Sequence, residues 1–259
     1  MTIVLLPPSE SKFAPDSGPT LELSTLSFPE LTEHRERALS AVIKLCSGSK
    51  VKAREVLDIS AKQDFELLRN QNLLTAPTAP AWKIYTGVLY DALDIATLNS
   101  KQTQKLTLMT YVQSALFGLI SLADEIPAYR LSGDCQLPRI GTLAKLWAKD
   151  CTSLLTERNE LIIDLRSGTY TKLGPLPANG ETVVPKILQR MPVGPPKVVS
   201  HHNKATKGRI LRAIAQAKSP VRTIDDLVKV IIGLGAEVNI PQNVNKAKPT
   251  VMEVVVAAL

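Results

Sequence analysis

Four branched apolar residues in a row, Ile3-Val4-Leu5-Leu6, run directly into Pro7-Pro8. An unbroken apolar run this short reads as a buried strand, and the two prolines end it in a polar loop, Pro7-Pro8-Ser9-Glu10-Ser11-Lys12. A strand that opens the chain and leads into a polar loop at its carboxyl end has the geometry of ligand sites in α/β proteins. Further strands are expected at 106–111, 160–165 and 183–191. Residues 236–240 and 251–257 form a closing pair, 82–87 reads as a strand into a turn, and 114–120 as an extended or turning piece.

Helical spacing fills the intervals. It covers about 30–45, with Ala38, Leu39, Val42, Ile43 and Leu45 on one side, then 50–57, 61–70, 89–93 and 99–105. It returns at 142–155, through Leu143, Leu146, Trp147, Cys151 and Leu154, at 203–217, and at 223–232 behind a Thr223 cap. Strands alternating with helices imply an α/β fold, and the adjacent late strands imply a mixed sheet. With 259 residues and 44% hydrophobic content, the chain can bury a sizeable core. It reads as one compact domain over 1–259, a mixed β-sheet flanked by helices, with a helical subregion at about 30–74.

Charge is unevenly placed. Residues 182–223 hold nine Lys or Arg and no Asp or Glu, whereas the rest of the chain has 22 basic against 24 acidic residues. Such a tract creates a local positive potential whose common partners are polyanions or phosphates; a solvated face is the plain alternative. Aromatic residues make up only 4%, which disfavours a stacking platform for single strands and leaves phosphate contacts. The three cysteines, Cys46, Cys135 and Cys151, are far apart and are not spaced with histidines as a zinc site, so no metal and no cofactor are expected. The longest apolar run, 115–122, is well short of the ~20 residues of a membrane span. The first residues lack a basic region before meeting Pro7, so a cytoplasmic protein without a membrane partner is expected.

On the helix expected at 203–217, Ile210, Leu211, Ile214 and Ala217 form the apolar face, and Lys204, Arg209 and Arg212 lie away from its centre. Lys207 projects beside the apolar stripe next to Gly208, a position that favours an anionic partner or a route to water. His201 and His202 precede the helix, and strand alternation would send their rings to opposite faces. The run Ile232-Gly233-Leu234-Gly235 imitates a DNA-binding hairpin but reads better as a glycine helix end before a strand. Asp164, Ser167, Tyr170 and Lys172 cluster at a strand exit, yet there is no nucleophile elbow, P-loop, GxGxxG or HExxH, so spacing supports no catalytic assignment.

Several segments in order, LLPPSESK at 5–12, IYTG at 84–87, ALFGLISLADEIPAYRL at 115–131, LAKLW at 143–147, IIDLRSGTYTKL at 162–173 and HNKATKGRILRAI at 202–214, give the chain a further reading. It resembles the YaaA family of bacterial peroxide-stress proteins. The resemblance implies a single α/β domain with a positively charged cleft and largely sequence-independent DNA binding. It also implies a helix-hairpin-helix-like element, which would fall between Lys50 and Asn70, where the usual hairpin glycines are lacking. Lys204, Lys207, Gly208 and Arg212 match the family's basic motif, and Lys12 its amino-terminal lysine. Phosphate contacts are therefore expected from Lys12, Arg130, Lys172, Lys204, Lys207, Arg209 and Arg212. A cleft would be lined by Ser9, Tyr85, Gly87, Tyr129, Tyr170 and Gly208. The leading reading is a DNA-binding, stress-protective protein with an indirect role against peroxide. Its rivals are an enzyme acting on a nucleotide-like or phosphorylated small molecule at the strand ends, and a module that docks its basic face on an acidic protein. A deep pocket would favour the enzyme and a long open groove DNA. Scatter of the tract's cations over separate surfaces would count against DNA.

Overall fold

The opening run forms the centre of the molecule. In a computed structural model, which describes residues 2–177, 182–241 and 248–257 and leaves the side chains of 200–202 aside, β1 (Ile3–Leu6) is buried along its whole length. It pairs in parallel on both sides, with β2 (Thr110–Ser114) at Val4↔Thr110 and with β4 (Ile162–Asp164) at Val4↔Ile163. A strand covered on both faces has no use for polar alternation, which is why it reads as four apolar residues in succession.

The sheet has seven strands. Beyond β4 lie β5 (Thr182–Gln189) and β7 (Thr250–Val256), both parallel to their neighbours, and β6 (Glu237–Asn239) closes that edge antiparallel to β7. On the other side β3 (Gly118–Ser121) pairs antiparallel with β2. The order is therefore β6-β7-β5-β4-β1-β2-β3, a parallel centre with an antiparallel strand at each edge. This is the mixed, helix-flanked α/β domain that the pattern implied. Because the chain leaves β1 toward one edge and β4 toward the other, the crevice at their carboxyl ends is a topological switch point, the usual place for a ligand in such sheets.

The helical region at the front comprises α1 (Thr32–Cys46), α2 (Lys50–Leu57) and α3 (Asp64–Gln71), close to the expected spans. After α4 (Ala81–Ile84), α5 (Val88–Leu93) and α6 (Ser100–Met109) lead into β2; α7 (Leu143–Thr156), α8 (Gly168–Thr171), α9 (Ser200–Gln216) and α10 (Ile224–Ile232) complete the set. Four expectations change. Residues 82–87 begin as a helical turn, because Ala81 and Ile84 bury at a spacing of three. Residues 106–109 belong to α6: the Leu-Thr-Leu alternation imitates a strand, but Leu106 and Met109 are the buried pair and Leu108 is exposed. The exit of β4 winds into α8, its Tyr170 and Thr171 N–H groups both donating to the Ser167 carbonyl. Helix α9 starts at Ser200, so strand alternation does not apply to His201 and His202, whose side chains lie outside the described residues. Residues 233–235 do end a helix before a strand, with Gly235 at φ +79°.

Candidate functional site

The loops at the switch point enclose a pocket of about 490 Å³. Residues 7–11 follow β1, residues 86–90 open α5, residues 167–170 follow β4, and Asn203, Lys204 and Lys207 come from the first two turns of α9; Ser132 and Asp134 complete it. Four of the segments that carry the family resemblance, at 5–12, 84–87, 162–173 and 202–214, thus meet at one place. Of the expected site residues, Ser9, Gly87, Tyr170, Lys204 and Lys207 line the pocket.

Two glycines make this closure possible. Gly87 takes φ +90° where the chain turns into α5. Gly208 does not line the pocket: it is where α9 presses on α5, and a Cβ there would stand 2.1 Å from the Leu89 carbonyl oxygen. That contact sets Lys207 beside the residues that open α5. Lys207 donates from Nζ to the Arg166 carbonyl at 3.1 Å, and burial lowers its pKa, opposed by the charge of Asp164. Arg166 and Asp164 below it form a fully buried, two-pronged ion pair with both bonds at 2.9 Å, so Asp164 is already neutralised. Lys204, one turn earlier, is exposed.

Lys12, Tyr85 and Tyr129 lie behind the loop rather than in the pocket. The Lys12 ammonium donates to the Ser9 carbonyl at 2.8 Å and stands 4.2 Å from the centre of the Tyr129 ring. Burial pulls its pKa down to about 7, with Glu10 opposing and Arg130 assisting. The Tyr129 hydroxyl joins Tyr85 at 3.0 Å and Ser114 at 2.8 Å, a fully buried chain of hydroxyls under the loop. Ser9 Oγ donates to the Ser11 carbonyl and accepts the Thr86 N–H, which fastens the loop to the start of α5. Arg130 is half-buried and paired with Glu10 at 2.8 Å. Tyr170 donates to the same carboxylate at 3.3 Å, and burial, aided by Glu10, pushes its own pKa up.

The rest of the basic tract disperses. Lys186 pairs with Glu253 at 2.9 Å and Arg190 with Glu237, both on the far edge of the sheet. Arg209 is exposed and borders a groove with Ile231 and Leu234 of the α10 end, while Arg222 lies near Thr2 and Lys105. Arg212 donates to the Leu93 and Asp94 carbonyls at 2.8 Å and closes the carboxyl end of α5. Lys172 is exposed outside the pocket. The tract is one address in the sequence but several in space, and Lys204 and Lys207 are its only members that line the strand-end pocket. The tract's cations therefore scatter over separate surfaces, the outcome that counts against DNA binding by the tract: a sequence block does not specify which face each residue takes along a strand, a turn and a helix.

Glu10, Asp134 and Asn203, to which no sequence motif assigns a role, also line the pocket. The signal for Glu10 is an Arg in another motif segment, Arg130, able to hold it. An open groove of about 600 Å³ lies between the end of α1, the start of α2 and the 138–140 turn, with Arg37, Lys44, Lys52 and Arg139 around it. Arg37 and Lys44 are seven apart, which places them on one helix face.

The description "Peroxide stress protein YaaA" belongs to a family model that matches residues 1–233. The chain belongs to the YaaA peroxide-stress family. It is 39% identical over 257 residues to a UPF0246 protein of Streptomyces coelicolor, covering 98% of both chains. It is 41% identical over 242 residues to a UPF0246 protein of Corynebacterium efficiens, covering 92% of this chain and 95% of the relative. An uncharacterised protein of Campylobacter jejuni is 30% identical over 230 residues, 87% of this chain and 88% of its own. All three cysteines are buried and free, and burial raises each thiol, Cys151 to about 11. Among the described residues, no group of three or more His, Cys, Asp or Glu could hold a metal, and no helix is long and apolar enough to cross a membrane.

Proposed function

We propose that this YaaA-family protein binds a phosphate-bearing small molecule in the strand-end pocket, with Lys207 as the main anion contact. The observation that carries the reading is the environment of Lys207. It lines the pocket, burial disfavours its charge, and among the described residues its sole hydrogen-bond acceptor is the Arg166 carbonyl. An ammonium with unfilled donors in a shielded place is stabilised by an anion. Lys204 and Asn203 extend the same surface, and the amino-terminal turns of α9 add the helix dipole. A volume of about 490 Å³ falls within the range of small-molecule sites. The protective role against peroxide is then indirect, through the ligand.

Titration calorimetry with inorganic phosphate tests this. Lys207→Met is expected to weaken binding about tenfold or more, and Arg209→Ala, on another surface, to leave it unchanged. Undiminished binding by Lys207→Met overturns the reading.

DNA binding is the second reading, favoured by the α1–α2 groove, whose Arg37, Lys44, Lys52 and Arg139 side chains have no ion pair or hydrogen bond among the described residues. Contacts from these four predict a log–log salt slope of about −3.6 on duplex DNA. The pair Lys44→Ala and Lys52→Ala would reduce that slope by about 2 without touching phosphate binding in the pocket. A flat salt response removes the DNA reading.

A further inference from the structure

The strand-end pocket holds charges of both signs that do not neutralise each other. Lys204 and Lys207 come from α9, whereas Glu10 and Asp134 come from loops on other elements, and among the described residues no ion pair joins the two groups. The acidic side is a connected and fixed set. Glu10 takes Arg130 at 2.8 Å on one oxygen and the Tyr170 hydroxyl at 3.3 Å on the other. Tyr170 in turn accepts the Gly133 N–H at 3.4 Å, and Thr169 donates to Asp134 at 3.0 Å. These bonds tie the loops after β1 and β4 to the 132–134 turn.

Despite two partners, the Glu10 side chain is 49% exposed, so its carboxylate keeps acceptor capacity toward the pocket. Asp134 is exposed as well. Which donors would they take? Arg130 already neutralises Glu10, so a second full positive charge gains little there. Asp134 already accepts from a neutral hydroxyl. Acceptors prepared in this way suit neutral O–H donors, and the hydroxyls of Ser132, Ser167 and Thr169 around them can take part in the same hydrogen bonds.

From this juxtaposition of a cationic helix and a hydrogen-bonded pair of carboxylates, one of them neutralised by Arg130, in one pocket, we infer that the ligand is a phosphorylated sugar, with its phosphate on Lys207 and Lys204 and its hydroxyls on Glu10 and Asp134. The inference rests on the phosphate reading of the pocket and adds to it the class of the rest of the ligand. Ribose 5-phosphate is the simplest probe. 2-Deoxyribose 5-phosphate tests the hydroxyl contacts, and O-phosphoethanolamine offers a cation in place of hydroxyls.

Calorimetric titration of the full chain separates the outcomes. Ribose 5-phosphate is expected to bind about tenfold or more tightly than inorganic phosphate, and the 2-deoxy sugar phosphate more weakly than the ribose compound. Glu10→Ala and Asp134→Ala should each erase most of that advantage, without the loss of inorganic phosphate affinity that Lys207→Met causes. The Asp134 variant guards against a folding defect from losing the Glu10–Arg130 pair. If inorganic phosphate binds through Lys207 but the sugar phosphates bind no better, the sugar inference fails and the phosphate reading stands. If O-phosphoethanolamine binds more tightly than ribose 5-phosphate, the acidic side reads a cation and the inference is wrong. If none of the probes binds, both readings fail together.

Discussion

Replacing Gly208 by alanine tests how the pocket is assembled. The added Cβ would lie 2.1 Å from the Leu89 carbonyl oxygen, 3.0 Å from Ala92 Cβ and 3.0 Å from the Leu93 nitrogen. Carbon–oxygen contacts settle at about 3.3–3.6 Å, so one helix must retreat by roughly 1 Å. The obstructing atom is backbone, and Arg212 clamps that end of α5 to α9 through the Leu93 and Asp94 carbonyls, so the retreat is resisted. Overpacking of this kind costs about 1–3 kcal/mol, and a severe clash with backbone belongs at the upper end. Alanine returns up to about 1 kcal/mol of helix propensity. The net loss is then about 2 kcal/mol, which for a chain of this size lowers Tm by about 4–8 °C. Urea unfolding followed by circular dichroism measures it, with Gly168→Ala as the control, because nothing stands within 4 Å of that position. The Gly168 variant should stay within about 0.5 kcal/mol of the parent. Leu89 lines the pocket and Lys207 is the next residue to Gly208, so Gly208→Ala should also weaken phosphate binding. A Gly208→Ala protein as stable as the parent, with intact binding, would refute this account of how α9 is seated.

Other consequences can be checked separately. Lys12 titrates near 7 in the folded protein and at its ordinary 10.5 when unfolded; the unfolded chain therefore binds more protons between those values, and stability gains from this residue as pH rises from about 7 to 10.5. Lys12→Met should flatten that rise, and parallel pH–stability curves for the two proteins would contradict it. Tyr129→Phe removes the hydroxyl shared by Tyr85 and Ser114 in a fully buried setting, and a loss of about 1–3 kcal/mol is expected by chemical denaturation. The three buried thiols should react with a disulfide reagent far more slowly in the folded protein than in denaturant.

The central strand and the helices were legible because their signals are local. An unbroken apolar run, a capping Thr223 and a spaced apolar face each fix one element without reference to the rest. Local signals failed where two periods compete, as in Leu106-Thr107-Leu108-Met109, which alternates like a strand yet buries positions three apart. The pocket was partly legible: Lys207 stood out because a lysine beside an apolar stripe needs a partner, and it does line the pocket. The position of Lys12 behind the loop was not legible, because it depends on bridging to Tyr85, 73 positions away in the chain. Nor was the dispersal of the basic tract, because Arg190, Arg209 and Arg212 take their directions from β6, α10 and α5, elements that the tract itself does not contain.

In the proposed function, one lysine at the switch point holds an anion. A crystal of the protein soaked in phosphate would show whether it does. Tetrahedral density within hydrogen-bond distance of Lys207 Nζ, between the loop after β1 and the start of α9, is the predicted result. Density confined to the α1–α2 groove, with the strand-end pocket empty, would contradict it.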